Sequence, residues 1–211
     1  MKTWDKYAAG ADRWSEDAYA DARTYLARRA ELVRTLGVAL EPGDRVLDLA
    51  CGDGGLGGFL PEQRYLGVDA SPEMVDAAQR SGRDVVCGDL NDYEPRQPTQ
   101  ATLIFRAIYY ARDRRALFVK VAGYTEKKLV FDLNPRQYRL EDVRADLVAA
   151  GFDRLVFRPF FVPQTRSVPL PAAVVLRGLE RSGPLARLVL RARFTLLCAA
   201  SRSDASGRSG S

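Results

Sequence analysis

The sequence of 211 residues contains no histidine, and this absence limits the chemistry open to the protein. Histidine is the usual general base near neutral pH, so any proton transfer must use Asp, Glu, Tyr, Lys, Cys or water. Cysteine is scarce as well, because Cys51, Cys87 and Cys198 lie far apart and form no CxxC pair. We therefore expect neither a metal site nor a disulfide framework.

Long apolar runs are also missing from the sequence. No stretch of about 18 apolar residues occurs, and the opening MKTWDKYAAGADRW lacks the apolar segment of a secretory signal. We therefore expect a cytoplasmic protein. The apolar fraction of 46% is close to the globular average and predicts a packed core. Only residues 201–211, rich in Ser, Gly and Arg, are typical of a disordered tail.

The positive net charge belongs to the C-terminal third of the chain. Residues 151–211 hold ten arginines against three acidic residues. Such a region can face nucleic acid, an anionic membrane or simply water. Because leucines rather than aromatic residues alternate with these arginines, nucleic acid is disfavoured as a partner. Peripheral membrane contact through residues 176–193 remains an alternative to plain packing.

Short apolar segments alternate with amphipathic helical segments along most of the chain. This alternation predicts the α/β class, with βαβ units and helices on both faces of a largely parallel sheet. We expect a Rossmann-like three-layer αβα sandwich with a seven-stranded sheet whose last strand is antiparallel. The predicted strands lie at 45–50, 64–70, 84–89, 102–110, 127–135, 154–162 and 194–200.

Helical additions are expected on both sides of the core, which spans residues 37–163. Residues 1–36 form an N-terminal helical cap, with a helical pattern over 12–36 and with Trp4, Tyr7 and Trp14 in its weakly patterned first part. Residues 164–193 form a second helical cap, inserted before the last strand. This second cap either covers an apolar substrate, touches a membrane or packs on the core.

The run VLDLACGDG at residues 46–54 is the central motif of the sequence. It places an acidic residue near the end of a buried strand and glycines at the turn into the next helix. Glycine permits positive φ and close backbone approach, so a ligand is expected at this turn. Residues Gly52–Gly57 also match GxGxxG, which is a weak dinucleotide signal when it stands alone.

Acidic residues at three strand ends discriminate between cofactors. Asp48 lies within the first strand, where a carboxylate disfavours the pyrophosphate of a nicotinamide dinucleotide and favours a cationic group. Asp69 ends the second strand, where a carboxylate can accept both hydroxyls of a ribose. Asp89 follows the third strand and can accept from an exocyclic amine. The alternative is that all three are ordinary strand-end caps.

The order VLDLACGDG, GVDASPEMV and CGDL resembles motifs I to III of the class I S-adenosylmethionine-dependent methyltransferases, over residues 40–160. The resemblance implies that Asp48 and the Gly52 and Gly54 backbone face the methionine part of the cofactor, Asp69 the ribose and Asp89 the adenine. Cys51 is expected to be a small wall residue rather than a nucleophile. The cofactor-binding set is then Asp48, Ala50, Cys51, Gly52, Gly54, Asp69, Ala70, Met74, Gly88, Asp89, Leu90 and Phe105.

Substrate-contacting residues are expected at the carboxyl edge of the fourth and fifth strands. Arg106 can hold an anionic group, and Tyr109 or Tyr110 can line the site or carry a proton; the alternatives are an arginine paired with a nearby carboxylate and tyrosines that only pack. The segment DLNPRQY is interpreted as a turn that places Asn134 and Arg136 near the substrate opening.

The predicted function is transfer of a methyl group from S-adenosylmethionine to a small-molecule or lipid-like acceptor. Displacement at a carbon that is already activated depends mainly on positioning, so a general base is dispensable. One alternative is an NAD(P)-dependent oxidoreductase that uses Gly52–Gly57; Asp48 and the lack of a recognisable Tyr-x-x-x-Lys pair argue against it. A non-catalytic cofactor-binding or nucleic-acid-associated protein is a further alternative.

Overall fold

The computed structural model describes residue 11 and residues 14–164, 168–180 and 195–203. Its strands are β1 (Arg45–Leu49), β2 (Arg64–Asp69), β3 (Val85–Cys87), β4 (Thr99–Ile104), β5 (Thr125–Leu133), β6 (Arg154–Phe160) and β7 (Thr195–Ser201). Its α-helices are α1 (Trp14–Asp17), α2 (Ala22–Thr35), α3 (Pro72–Arg80), α4 (Arg114–Tyr124), α5 (Leu140–Ala149) and α6 (Leu170–Leu179). Short 3₁₀ turns occupy Gly55–Phe59 and Ile108–Tyr110.

The strands form one seven-stranded sheet in the order β3-β2-β1-β4-β5-β7-β6. Neighbours among β1 to β5 pair in parallel, whereas β7 runs antiparallel to both β5 and β6. The predicted α/β class, the mostly parallel sheet and the antiparallel last strand are therefore confirmed. Because β2 and β4 lie on opposite sides of β1, the strand order reverses at β1.

The two faces of the sheet carry different helices. Leu47 and Leu49 of β1 pack in a core cluster that includes residues of α4 and α5. Val46 belongs instead to the cluster formed with α2. Since successive strand residues point to opposite faces, Asp48 lies on the α2 face with Val46. This placement brings a strand carboxyl group and the N-terminal helices to the same side of the sheet.

The ends of α2 and α3 follow from local sequence. The Asp21 side chain accepts a hydrogen bond from the Thr24 amide at 3.0 Å and caps the start of α2. Ser71 caps α3 by accepting from the Met74 amide at 3.3 Å, and Pro72 occupies the first helical position. Helix α3 therefore begins three residues after Asp69, with the cap and the proline that the sequence predicted.

Several predicted boundaries differ from the structure. The fourth strand ends at Ile104 rather than at residue 110, because Arg106 adopts a positive φ of 53° and a 3₁₀ turn follows. The helix predicted over 12–36 is divided into α1 and α2, and β6 ends at Phe160 rather than at 162.

Helix α6 occupies part of the second predicted cap. Residues 165–167 and 181–193 of that cap and residues 204–211 of the predicted tail lie outside the described part of the chain. The prediction that the tail begins at residue 201 is wrong at its first residue, because Ser201 is the last residue of β7 and pairs with β6. Among the described helices, none is long and apolar enough to cross a membrane.

Candidate functional site

A cavity of about 360 Å³ opens where β1, β2 and β4 end. The reversal of strand order at β1 makes this the crevice in which open α/β sheets bind ligands, and the volume suits a small molecule. The predicted residues in its walls are Asp48, Ala50, Cys51, Gly52, Asp69, Ala70, Met74, Gly88, Asp89, Leu90, Phe105, Arg106, Tyr109 and Tyr110. The structure therefore brings together residues predicted from four separate segments of the sequence.

Asp48 is a buried carboxyl group with one unsatisfied oxygen. The Tyr65 hydroxyl donates to Asp48 Oδ2 at 2.8 Å, whereas the buried Oδ1 has no hydrogen-bond partner among the described residues. Burial raises the pKa of Asp48 to about 7, although the Tyr65 hydrogen bond and the positive charge of Arg29 oppose that shift. A cation placed in the cavity would satisfy the free oxygen and favour the ionised carboxylate.

Asp69 is held in one orientation by backbone amides. The Gly52 amide donates to Asp69 Oδ2 at 2.7 Å, and the Ser71 amide donates to Oδ1 at 3.0 Å. Burial nevertheless raises the pKa of Asp69 above its usual value. Each carboxylate oxygen retains a second lone pair, so the fixed group can still accept hydrogen bonds from two hydroxyls.

Asp89 lies on the β3 side of the cavity. Its Oδ1 accepts hydrogen bonds from the backbone amide and the side-chain amide of Asn91, each at 2.8 Å. The neighbouring Leu90 and the side chain of Met74 are buried in the cavity wall. This part of the site therefore combines an oriented acceptor with apolar surface, which suits the edge and face of a heterocyclic ring.

Helix α1 closes the cavity over the glycine turn. The Ser15 hydroxyl donates to Asp53 Oδ1, and the Ser15 amide donates to Asp53 Oδ2 at 3.2 Å. A Cβ atom at Gly52, where φ is +62°, would lie 2.9 Å from the indole ring of Trp14. Only glycine therefore allows Trp14 to lie on this turn. The other aromatic residues proposed for this cap, Trp4 and Tyr7, lie outside the described residues.

A buried ion pair joins α2 to the end of β5. Arg29 Nη2 donates to Asp132 Oδ2 at 2.6 Å and to the Tyr25 hydroxyl at 2.9 Å. The guanidinium carbon lies 4.3 Å from the centroid of the Phe105 ring, within range of a cation–π interaction. Arg29 lines the cavity, so a charge from α2 reaches the site.

Arg106 and the tyrosines predicted with it line the same cavity. The Arg106 amide donates to Asp132 Oδ1 at 2.6 Å, and its guanidinium lies 5.5 Å from the centroid of the Tyr19 ring. Tyr109 is 54% exposed and packs on Tyr110 with ring centroids 4.3 Å apart. Both tyrosines belong to the 3₁₀ turn rather than to a strand.

Comparison with known proteins finds a family similarity in the segment that carries most of this site. Residues 46–128, which contain Asp48, Asp69, Asp89 and Arg106, match the family model described as a methyltransferase domain. The matched segment spans 83 of the 211 residues, which is less than half of the chain.

Among curated proteins, the chain is 35% identical over 113 residues to trans-aconitate 2-methyltransferase from Mycobacterium tuberculosis (strain ATCC 25177 / H37Ra). The match covers 51% of this chain and 42% of that protein, so the chain spans less than half the length of this relative.

Solved structures share the fold of this chain at low sequence identity. Phosphoethanolamine N-methyltransferase 2 of Haemonchus contortus, in complex with S-adenosylmethionine, is 15% identical with a TM-score of 0.65 over 95% of this chain and 58% of that chain. The [4+2]-cyclase SpnF is 19% identical with a TM-score of 0.57 over 83% and 80%. A fold shared with a cyclase shows the architecture and leaves the reaction to the site residues.

A few of the predicted residues lie away from the cavity. Gly54 is not in its walls, because it turns toward β3, where a Cβ would lie 2.9 Å from Val85. Asn134 and Arg136 do not line the cavity either. They form the predicted turn, in which Asn134 Oδ1 accepts from the Arg136 amide at 3.0 Å.

Sequence reasoning missed Asp132 and Arg29. Asp132 stands near the end of a buried strand, which is the same signal that identified Asp48 and Asp69. Arg29 follows Tyr25 by one helical turn on the apolar face of α2, where a charged residue is itself a signal. Their pairing across the fold had no local signal.

Proposed function

We propose that this chain is an S-adenosylmethionine-dependent methyltransferase that acts on a small-molecule acceptor. The observation that carries the proposal is the unpaired Oδ1 of Asp48, buried in the wall of a cavity that also holds Asp69 and Asp89. An isolated buried carboxylate destabilises the folded protein by on the order of several kcal/mol unless a cation or proton compensates its charge. These carboxyl groups therefore suit a ligand that brings a positive charge.

The residues fit the chemical groups of S-adenosylmethionine one by one. The free oxygen of Asp48 suits the ammonium of the methionine part, and the amide-oriented carboxylate of Asp69 suits the ribose hydroxyls. Asp89 suits the adenine amine, with Met74 and Leu90 against the ring. Gly52 and the small side chains of Ala50 and Cys51 leave room for the methionine part.

When bound, S-adenosylmethionine supplies a methyl group that its sulfonium has already activated. The chain then contributes positioning, because the strand-end carboxylates orient the ligand and the Trp14–Ser15 segment covers it and excludes water. Burial raises the pKa of the Cys51 thiol well above its usual value, so this thiol stays protonated. Cys51 therefore acts as a wall residue and not as a nucleophile.

The glycine turn gives little support to the oxidoreductase alternative. In the dinucleotide fingerprint, the pyrophosphate lies at the N-terminus of the helix that follows the glycines. Here the glycines lead into a 3₁₀ turn of five residues, Gly55–Phe59. Gly57 is explained by packing, since a Cβ there would lie 2.7 Å from the Tyr65 ring.

Calorimetric titration tests the proposed cofactor. The full chain should bind S-adenosylhomocysteine and give no heat with NADH. Asp48→Asn should weaken S-adenosylhomocysteine binding about tenfold or more, because a hydrogen bond between charged groups contributes roughly 1.5–3 kcal/mol. The matched control is Asp84→Asn, which removes the same charge from an exposed residue outside the cavity. Binding of NADH without a response to S-adenosylhomocysteine would contradict the proposal.

A second proposal concerns a lipid-like acceptor reached through contact of α6 with a membrane surface. Val174 and Val175 of α6 are each 61% exposed, and Arg177 follows on the same helix. The arginine-rich residues 181–193 continue the chain, outside the described part of the structure. Exposed valines beside basic residues suit the surface of an anionic bilayer.

Vesicle binding tests this second proposal. Val174→Ser with Val175→Ser should reduce binding to vesicles that contain phosphatidylglycerol, and raised salt should weaken binding of the unaltered chain. Val148→Ser is the matched control, since Val148 is 58% exposed on α5. If the double variant binds vesicles as well as the unaltered chain and Val148→Ser do, α6 does not contact lipid.

A further inference from the structure

The charged side chains in the cavity wall differ in how they are compensated. Arg29 pairs with Asp132 at 2.6 Å, and Arg112 pairs with Asp92 at 2.8 Å. Arg106 has no carboxylate partner among the described residues, although it lines the same cavity. The cavity therefore contains one arginine whose positive charge is not balanced by a paired carboxylate of the described chain.

Neutral groups hold the Arg106 guanidinium in place. The Tyr19 ring lies beside it, with the guanidinium carbon 5.5 Å from the ring centroid. When the Gln164 amide is flipped to the orientation that gives its oxygen donors, this oxygen accepts from both terminal nitrogens of Arg106, at 3.3 and 3.0 Å. The Ala20 amide donates to the Gln164 carbonyl at 2.9 Å, which fixes the two partners relative to each other. These contacts orient the side chain without neutralising it.

The backbone at Arg106 is also constrained. Its φ of 53° lies in the left-handed region, which costs an ordinary residue on the order of 1–2 kcal/mol. The hydrogen bond from the Arg106 amide to Asp132 at 2.6 Å holds this conformation. The same carboxylate pairs with Arg29, so Asp132 ties the backbone of one arginine to the side chain of the other. A strained residue held in this way is characteristic of a binding site.

We propose that Arg106 binds a carboxylate of the methyl acceptor, so that the substrates of this site are small carboxylic acids. This inference rests on the proposed methyltransferase function. The planar guanidinium binds a carboxylate through two parallel hydrogen bonds. One unbalanced positive charge matches the single charge of the carboxylate group that contacts it, whereas a phosphate monoester concentrates about 1.5 to 2 negative charges on one group at neutral pH and would be undercompensated at Arg106.

The experiment measures acceptor binding to the full chain saturated with S-adenosylhomocysteine. The probes are trans-aconitate and a panel of small mono- and dicarboxylates, with phosphoethanolamine for comparison. We expect a carboxylate to bind, and Arg106→Gln to weaken its binding about tenfold or more. Arg106→Lys keeps the charge but loses the paired hydrogen-bond geometry, so its carboxylate affinity should lie between those of the unaltered chain and Arg106→Gln. Arg64→Gln, at an exposed arginine outside the cavity, is the control.

Affinity for S-adenosylhomocysteine separates the outcomes, because this ligand has a carboxylate of its own. Arg106→Gln should leave that affinity within about threefold of the unaltered chain. A loss of S-adenosylhomocysteine binding in Arg106→Gln or Arg106→Lys would show that Arg106 serves the cofactor, and it would overturn the inference. Unchanged carboxylate affinity in both variants, no carboxylate binding by the unaltered chain, or preference for phosphoethanolamine would overturn it as well. Failure of the unaltered chain to bind S-adenosylhomocysteine would instead refute the proposed function.

Discussion

Two aspartates on the same face of the sheet have different hydrogen-bonding environments. Asp132 at the end of β5 accepts from Arg29 at 2.6 Å and from the Arg106 amide at 2.6 Å. Asp48 on β1 accepts only from the Tyr65 hydroxyl, and its second oxygen has no partner among the described residues. Asp132 therefore contributes to the architecture, while Asp48 keeps an acceptor free at a cost in stability.

This cost predicts that Asp48→Asn stabilises the ligand-free protein at pH 8. Burial raises the pKa of Asp48 from 3.8 to about 7, against the Tyr65 hydrogen bond and the charge of Arg29 and together with repulsion from Asp69 and Asp132. A raised carboxyl pKa contributes stability that is fully present below pH 3.8 and is lost as pH rises toward 7. Asparagine avoids this loss and still accepts from the Tyr65 hydroxyl.

Thermal unfolding at pH 5 and at pH 8 checks this prediction. The stability advantage of Asp48→Asn over the unaltered chain should be larger at pH 8 than at pH 5, by on the order of a few kcal/mol. Asp84→Asn, at an exposed position, should show no such pH-dependent gain. An Asp48→Asn variant less stable than the unaltered chain at pH 8 would show that its carboxylate is compensated in the free protein.

At the scale of elements, polar side-chain contacts attach helices α1, α2 and α6 to the rest of the fold. Helix α1 contacts the glycine turn through Ser15 and Asp53, and α2 reaches β5 through Arg29. Helix α6 is joined to α2 because Glu180, directly after its last turn, pairs with Arg28 and accepts from the Phe161 amide at 3.1 Å. Polar groups buried at these contacts make the attachment of each helix specific, since an unpaired partner would be costly.

The contact of α1 predicts that Ser15→Ala speeds release of S-adenosylhomocysteine. Removing the Ser15 hydroxyl deletes one of the hydrogen bonds that hold Trp14 over Gly52, and such a bond contributes roughly 0.5–1.5 kcal/mol. The dissociation rate measured by stopped flow should rise roughly two- to tenfold, with a smaller change in the association rate. Ser81→Ala, at the exposed end of α3, is the control. A dissociation rate identical to that of the unaltered chain would separate α1 from ligand retention.

At the scale of the whole molecule, the sheet order explains why residues from distant segments share one cavity. Strands β2 and β4 flank β1 in parallel, so Asp48, Asp69 and the residues after Ile104 reach the same edge. Those positions could be predicted, because a buried strand followed by glycine or an acid is a local pattern. The end of the fourth strand could not be predicted from the sequence, because the positive φ of Arg106 is held by a hydrogen bond to Asp132 from another strand.

The sequence by itself determined the alternation of strands and helices, the glycine turn and the acidic strand ends, because each depends on neighbouring residues and on the period of apolar positions. Only the tertiary structure decided which charges meet. Arg29 and Asp132 pair across 103 positions of the chain, and Lys128 of β5 is buried where its ammonium donates to the Leu36 carbonyl at 2.9 Å, just beyond the end of α2. Such pairings have no sequence period, since they arise when helix and sheet faces pack and each buried charge must find a partner in the space that remains.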